Sequence, residues 1–236
     1  MNKCKIAELD ITAYKSLEHA VDTVIVNGEV EAGFAVAINA EKIVSAFENR
    51  KVKSILTSAT IRYPDGAGVS ILMGFRGYKS ARIPGCDFWV AIMKKAAINQ
   101  LPVFILGGKS ITNNATVNKL ANELGANIAG SCDGYFKSKD KLIEQIVGSK
   151  AKIITVALGS PMQENFINEC RLIYPNAFYM GVGGTYDVFT NQVKRAPIWT
   201  HKYHLEWFYR LCQNPTRITR QLKLVKYIFL AIMKKI

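Results

Sequence analysis

The chain has no pair of cysteines in a C-x-x-C spacing, and its five cysteines (Cys4, Cys86, Cys132, Cys170 and Cys212) are scattered and odd in number. That excludes a disulfide framework and a zinc ribbon, and leaves reduced thiols that pack. Histidine is scarce: of three, His201 and His204 stand three apart with no third ligand nearby, so a metal role is not supported. No apolar run approaches the roughly 18 residues that cross a bilayer; the longest late one is Tyr227 to Met233. The N-terminus lacks an apolar h-region, because Glu8 and Asp10 interrupt it, and a cytoplasmic location is the default expectation.

Several catalytic signatures are also missing. Gly181-Val-Gly183 and Gly66-Ala-Gly68 each lack the third glycine of a dinucleotide fingerprint, and Gly107-Gly-Lys-Ser110 lacks the first glycine of a Walker A loop. Ser160 sits in Leu158-Gly-Ser-Pro-Met162, which is not a nucleophile elbow. There is no D-x-D pair to hold a divalent metal under a sugar nucleotide, so a departing diphosphate would have to be stabilised by protein groups.

What is present is a chain of 236 residues, 49% hydrophobic, with enough apolar content for one substantial α/β domain and an appendage. The net charge of +13 is local: residues 194–236 hold ten of the 31 Lys and Arg but one of the 18 acids, Glu206. The division expected is a catalytic α/β domain over 1–193 and a basic, membrane-associating appendage over 194–236.

Apolar runs and turn signals alternate strand and helix along the first part. Strands are expected over 34–38, within 54–62, and over 103–106, 127–129, 153–158 and 178–182. Helices are expected over 41–47, 86–99, 112–124, 139–147 and 163–173. This alternation predicts a Rossmann-like, largely parallel sheet flanked by helices. Three strands end in similar punctuation, Leu106-Gly-Gly-Lys109, Leu158-Gly-Ser-Pro161 and Val182-Gly-Gly-Thr185. In an open parallel sheet such turns line the carboxyl edge, where backbone N–H groups can meet a phosphate. Each glycine also suits an ordinary tight turn.

Individual residues remain ambiguous on spacing alone. Asp65, in Tyr63-Pro-Asp-Gly66, would be presented at the sheet edge by a tight turn, and Asp before Gly is equally common in turns without chemistry. Asn39 can cap the helix that follows or bind a substrate hydroxyl. Arg82 offers a planar fork to a diphosphate, or is a solvated surface cation. Gln163, in a first helical turn, can converge with helix N–H groups on a ligand.

In the tail, Ile218, Leu222, Val225, Phe229 and Ile232 recur at helical spacing, with Arg217, Arg220, Lys223 and Lys226 on other faces. Trp199, Tyr203, Trp207 and Tyr209 precede them, with rings suited to headgroup depth. An interfacial helix is expected; the alternative packs the apolar stripe on the core and solvates a basic back. Nucleic-acid binding is not supported, since the basic residues frame an apolar stripe and no recognition module is present.

Taken together, Tyr63-Pro-Asp-Gly66, Phe104-Ile-Leu-Gly-Gly-Lys109, Gly159-Ser-Pro-Met-Gln-Glu164 and Gly181-Val-Gly-Gly-Thr-Tyr-Asp-Val-Phe-Thr190 with Lys194-Arg-Ala-Pro197 resemble the WecG/TagA/CpsF glycosyltransferases, from about Ile6 to about Tyr227. Ala37-Ile-Asn-Ala-Glu-Lys42, Asp133-Gly-Tyr-Phe-Lys137 and Leu205-Glu-Trp-Phe-Tyr-Arg210 are most similar to the enterobacterial members that transfer N-acetylmannosaminuronic acid for common-antigen synthesis. The resemblance implies a metal-independent, inverting transfer from a UDP-sugar donor to undecaprenyl-diphosphate-linked N-acetylglucosamine at the cytoplasmic membrane face, with no cofactor. It implies Asp65 as the base, and Asn39 placing the sugars. Arg82 and the turns carrying Gly107, Gly108, Lys109, Gly159, Gly183, Gly184, Thr185 and Asp187 would bind the diphosphate, and Gln163 would support the donor. Lys109 and Arg195 are the candidates for the uronate carboxylate. Arg210, Arg217, Arg220 and Lys223 would face the lipid diphosphate or the membrane. UDP-N-acetylmannosamine or a capsular sugar as donor, a non-catalytic nucleotide-sugar binding module, and a homo-oligomer stay open.

Overall fold

The computed structural model describes residues 2–193 and 218–236. A hairpin of β1 (Lys3–Ile6) and β2 (Leu9–Thr12) precedes α1 (Leu17–Asp22) and a short ribbon of β3 (Ile25–Val26) and β4 (Glu29–Val30). The main alternation follows: β5 (Gly33–Ile38), α2 (Ala40–Glu48), α3 (Arg50–Thr57), β6 (Ile61–Pro64), α4 (Ala67–Phe75), α5 (Gly85–Ile98) and β7 (Val103–Gly107). Next come α6 (Ser110–Leu124), β8 (Ile128–Cys132), α7 (Lys139–Ser149), β9 (Ile153–Ala157), α8 (Met162–Ile173), β10 (Phe178–Gly181) and α9 (Thr185–Phe189), and α10 (Ile218–Ile232) lies near the end.

Six strands form one parallel sheet in the order β6-β5-β10-β9-β7-β8. Side chains alternate across it, so each strand feeds two cores. Phe34, Val36, Ile38, Phe104, Leu106, Ile154, Val156 and Tyr179 face the layer holding α2, α3, α4, α7, α8 and the N-terminal hairpin. Ala35, Tyr63, Val103, Ile105, Ile153, Phe178 and Met180 face the layer holding α1, α5, α6 and α9. Burial on both faces explains the near-continuous apolar strand sequences. The expected α/β architecture with a parallel, helix-flanked sheet is therefore the one present.

Two local expectations change. Residues 54–57, inside the stretch expected to hold a strand, close α3, which Asn49 opens by accepting from the N–H groups of Lys51 and Val52. The strand proper starts at Ile61. The hairpin β1–β2 was not anticipated; its buried Cys4, Ile6, Leu9 and Ile11 are too few to give a clear period, yet they join the core beneath α2 and α3.

α10 packs on α2 through the face opposite its apolar stripe. Tyr227 and Leu230 are buried, Lys223 Nζ donates to Ser45 Oγ at 2.7 Å, and Lys226 pairs with Glu48. Leu222, Val225, Phe229 and Ile232 point the other way, at 65, 67, 58 and 74% exposure. The arrangement with the apolar stripe on the core and a solvated basic back is thus reversed. Lys223, assigned by sequence to the lipid surface, is turned toward the body. No helix among the described residues is long and apolar enough to cross a membrane.

Candidate active site at the carboxyl edge of the sheet

Parallel pairing of β5 with β6 aligns Ile38 with Pro64, and the Asp65 N–H donates to the Ile38 carbonyl at 2.9 Å. Asn39 and Asp65 thereby leave neighbouring strands side by side; a Cβ on Gly66 would lie 3.5 Å from Asn39 Cβ. Asn39 Oδ1 accepts from the Lys42 N–H at 2.9 Å, so this residue caps α2. The capping bond uses only its oxygen.

The segment carrying Arg82 runs back along this edge. Ala81 donates to the Tyr14 carbonyl at 2.7 Å, Ile83 donates to the Pro64 carbonyl at 2.8 Å, and the Gly85 N–H donates to Asp65 Oδ1 at 3.2 Å. Arg82 and Asp65 are thus held on one edge by backbone bonds on both sides of the arginine. Tyr63 lies beneath, fully buried. Burial first, then the negative charges of Asp65 and Glu164, push its phenol well above the ordinary value, so it stays neutral.

On the other side of β5, β10 ends at Gly181, where only hydrogen fits easily: a Cβ would lie 2.6 Å from Gln163 Nε2. Gln163 is itself buried, accepting from the Gly183 N–H at 3.0 Å and donating to Glu164 Oε1 at 3.2 Å. Both ends of the amide are engaged, so Gln163 clamps the turn that carries Gly183 and Gly184. Thr185 Oγ1 donates to the Val182 carbonyl at 2.7 Å and closes the same turn. Asp187 Oδ1 accepts from Thr112 Oγ1 at 3.2 Å, which ties α9, directly after the β10 turn, to α6.

Gly107 and Gly108 bend the chain after β7 at φ of +104° and +74°, and a Cβ on Gly107 would sit 2.4 Å from the Ala157 carbonyl oxygen. Gly107 permits β7 and β9 to end in contact, and Gly108 N–H then donates to that oxygen at 3.0 Å. Gly159 follows β9 at φ +76°, and exposed Lys109 occupies the position before α6. The helices α4, α6 and α8 all start at this edge without a side-chain cap. Their first N–H groups and the positive ends of their dipoles suit an anion. Helices α2 and α10 lie on one side of the sheet and α9 on the other, so the chain leaves β5 and β10 in opposite directions, the crevice in which open α/β sheets bind ligands.

The geometry adds residues that spacing did not single out. Lys42 Nζ and Glu164 Oε1 form an ion pair across this crevice, joining the first turn of α2 to that of α8. The Glu164 side chain is buried, and its Oε2 has no hydrogen-bond partner among the described residues. A contact spanning 122 positions leaves no local pattern in a sequence.

Arg195, Arg210 and Arg217 lie outside the described residues, as do His201, His204, Cys212 and the aromatic group from Trp199 to Tyr209; Arg220 is placed in α10 by its backbone alone.

The profile of the Glycosyl transferase WecG/TagA/CpsF family matches residues 4–236. The chain belongs to this family. It is a glycosyltransferase by descent, and a sugar donor and an acceptor are its substrates.

Proposed function

We propose that the protein transfers N-acetylmannosaminuronic acid from its UDP donor to undecaprenyl-diphosphate-linked N-acetylglucosamine, with inversion and without a metal, on the inner face of the cytoplasmic membrane. The observation that carries this reading is the meeting of Asp65, Asn39 and the Arg82 segment with the uncapped helix N-termini along one sheet edge.

In this scheme Asp65 takes the proton from the acceptor hydroxyl as that oxygen attacks the anomeric carbon. The carbon–oxygen bond to UDP breaks on the opposite face, and the electron pair leaves with the diphosphate. General-base assistance of this kind is worth roughly 10²–10⁴-fold. Arg82 and the N–H groups at the starts of α6 and α8 neutralise the leaving diphosphate, while Asn39 Nδ2 holds a sugar hydroxyl. Gly107, Gly108, Gly159, Gly183 and Gly184 let the backbone approach the phosphates. Gln163 fixes the Gly183 turn, and Thr185 and Asp187 brace it. Lys109 and Arg195 are assigned to the uronate carboxylate.

The exposed stripe of α10 supports the membrane part, because four large apolar side chains directed away from the body need a cover. Arg210, Arg217 and Arg220 then serve the lipid diphosphate or anionic headgroups.

The test is UDP release by purified protein given detergent-dispersed lipid-diphosphate N-acetylglucosamine. Acceptor-dependent release with UDP-N-acetylmannosaminuronate, and far less with UDP-N-acetylmannosamine, is expected. Release with the neutral sugar alone would overturn the donor assignment, and release with neither would overturn the reaction.

A further inference from the structure

A second concavity lies at the opposite end of α2 from Asn39. Nine helical residues separate the two, roughly 13 Å at 1.5 Å per residue, so this pocket is no part of the catalytic edge. Its volume is about 380 Å³. Three separate segments build it: the β1–β2 hairpin, the α2–α3 junction and the residues after α10.

Its charge is one-sided. Lys5, Arg50, Lys234 and Lys235 line it, and the one acidic side chain of the lining, Glu8, pairs with Lys53. Like charges gathered from three segments repel one another and favour an anion between them. The walls are fixed, because the Arg76 guanidinium donates both to the Lys5 carbonyl and to a main-chain oxygen of Ile236, and the Ile236 side chain is buried in the core. The hairpin and the chain after α10 are therefore held at a set separation.

The surroundings decide which anion. Lys234 and Lys235 follow directly on Ile232, the last residue of α10, and Met233, both apolar and exposed, and Phe47 presents an exposed ring at the pocket. A cationic pocket continuous with an apolar stripe matches a phosphate that carries acyl chains better than a free nucleotide or a nucleic acid.

We propose that this pocket binds the phosphate of an anionic phospholipid headgroup. The inference rests on the membrane part of the function proposed above. Lys5, Arg50 and Lys235 contact the headgroup phosphate while the α10 stripe enters the acyl boundary. The pocket thereby sets how the protein is turned on the bilayer.

The experiment is co-sedimentation of the full chain with phosphatidylcholine vesicles, with and without about one quarter phosphatidylglycerol. The Lys5→Gln/Arg50→Gln/Lys235→Gln variant should bind the anionic vesicles about 100-fold more weakly, since each cation near such a surface is worth roughly fivefold. A Lys137→Gln/Lys141→Gln/Lys150→Gln variant removes equal charge from exposed positions elsewhere and should bind nearly as the parent does. Equal losses in the two variants, or no loss in the first, would overturn the pocket and leave the membrane reading intact. Failure of the parent chain to bind either vesicle would overturn both. UDP release from detergent-dispersed acceptor should be the same in the parent and in both variants; a drop confined to the pocket variant would place these residues in catalysis instead.

Discussion

Lys42 Nζ stands 2.8 Å from Glu164 Oε1, with the carboxylate side chain 1% exposed and the lysine side chain 14%. The pair crosses the crevice between the strand that presents Asn39 and the helix that presents Gln163. Removing the lysine strands a buried charge, whereas removing the carboxylate leaves an ammonium that retains some access to water. Lys42→Met is expected to destabilise the fold by about 3 kcal/mol, Glu164→Gln by clearly less, and the double variant by less than their sum. Thermal or urea unfolding of the four proteins checks this cycle. Strict additivity would show that the two residues do not act as a unit.

Asp65→Asn keeps the shape of the side chain and its ability to accept from the Gly85 N–H, and removes the carboxylate proposed as the base. Turnover is expected to fall roughly 10²–10⁴-fold while the melting temperature and UDP affinity stay near those of the parent. Joint loss of folding and UDP binding would make Asp65 a structural turn residue.

Much of this site was legible because parallel strands announce themselves. Val103 to Leu106 and Ile153 to Val156 are apolar at every position or nearly so, and the glycines after them mark the carboxyl edge. Asp65 and Asn39 followed from their places just after strands. The partners of those residues did not. Gln163 reads as a free amide in a first helical turn, and only the packing of α8 against β10 shows both its ends engaged. In the tail the period of the apolar stripe was correct, but period alone does not say which face meets the body. Tyr227 and Leu230, with the aliphatic stems of Lys223 and Lys226 beside them, supply enough apolar surface to dock the helix and leave the stripe outward.

Glycine at 107 is required by contact as well as by torsion. Gly107→Ala would press Cβ to 2.4 Å from the Ala157 carbonyl oxygen at a φ of +104°, and neither backbone can yield inside the β7–β9 ladder. A loss of about 3 kcal/mol or more is expected, with UDP binding lost as the turn shifts. Gly148, inside α7, meets nothing within 4 Å, so Gly148→Ala should stabilise by about 0.5–1 kcal/mol. Denaturant midpoints separate the two; a neutral Gly107→Ala would refute the packing argument.

Alkaline pH tests the buried phenols. Burial is the main force that raises Tyr63, Tyr179, Tyr186 and Tyr227 above the ordinary tyrosine value of about 10. Below pH 10 these groups are protonated both folded and unfolded, and their contribution is fully present. Above it the unfolded chain releases protons that the folded chain retains, so stability must fall as pH rises. Absorbance near 295 nm should show these tyrosinates appearing only together with the loss of far-ultraviolet ellipticity. Their titration in a still-folded protein would contradict the burial.

Tyr227 links α10 to the carboxyl edge of the sheet. Its hydroxyl donates to the Gly68 carbonyl at 3.1 Å, and a Cβ on Gly68 would lie 3.3 Å from its ring. Gly68 is the second residue of α4, three positions after Asp65, so the ring rests on the turn that aims the proposed base. Tyr227→Phe removes one hydrogen bond and should cost about 1 kcal/mol with little change in rate. Tyr227→Ala empties the contact and frees the first turn of α4. Amide exchange at Val69 and Ser70 should then accelerate, and UDP release should slow in parallel while UDP affinity changes little, because the proposed diphosphate contacts lie on other loops. Faster exchange with unaltered turnover would show that α10 supports the fold without setting the position of Asp65.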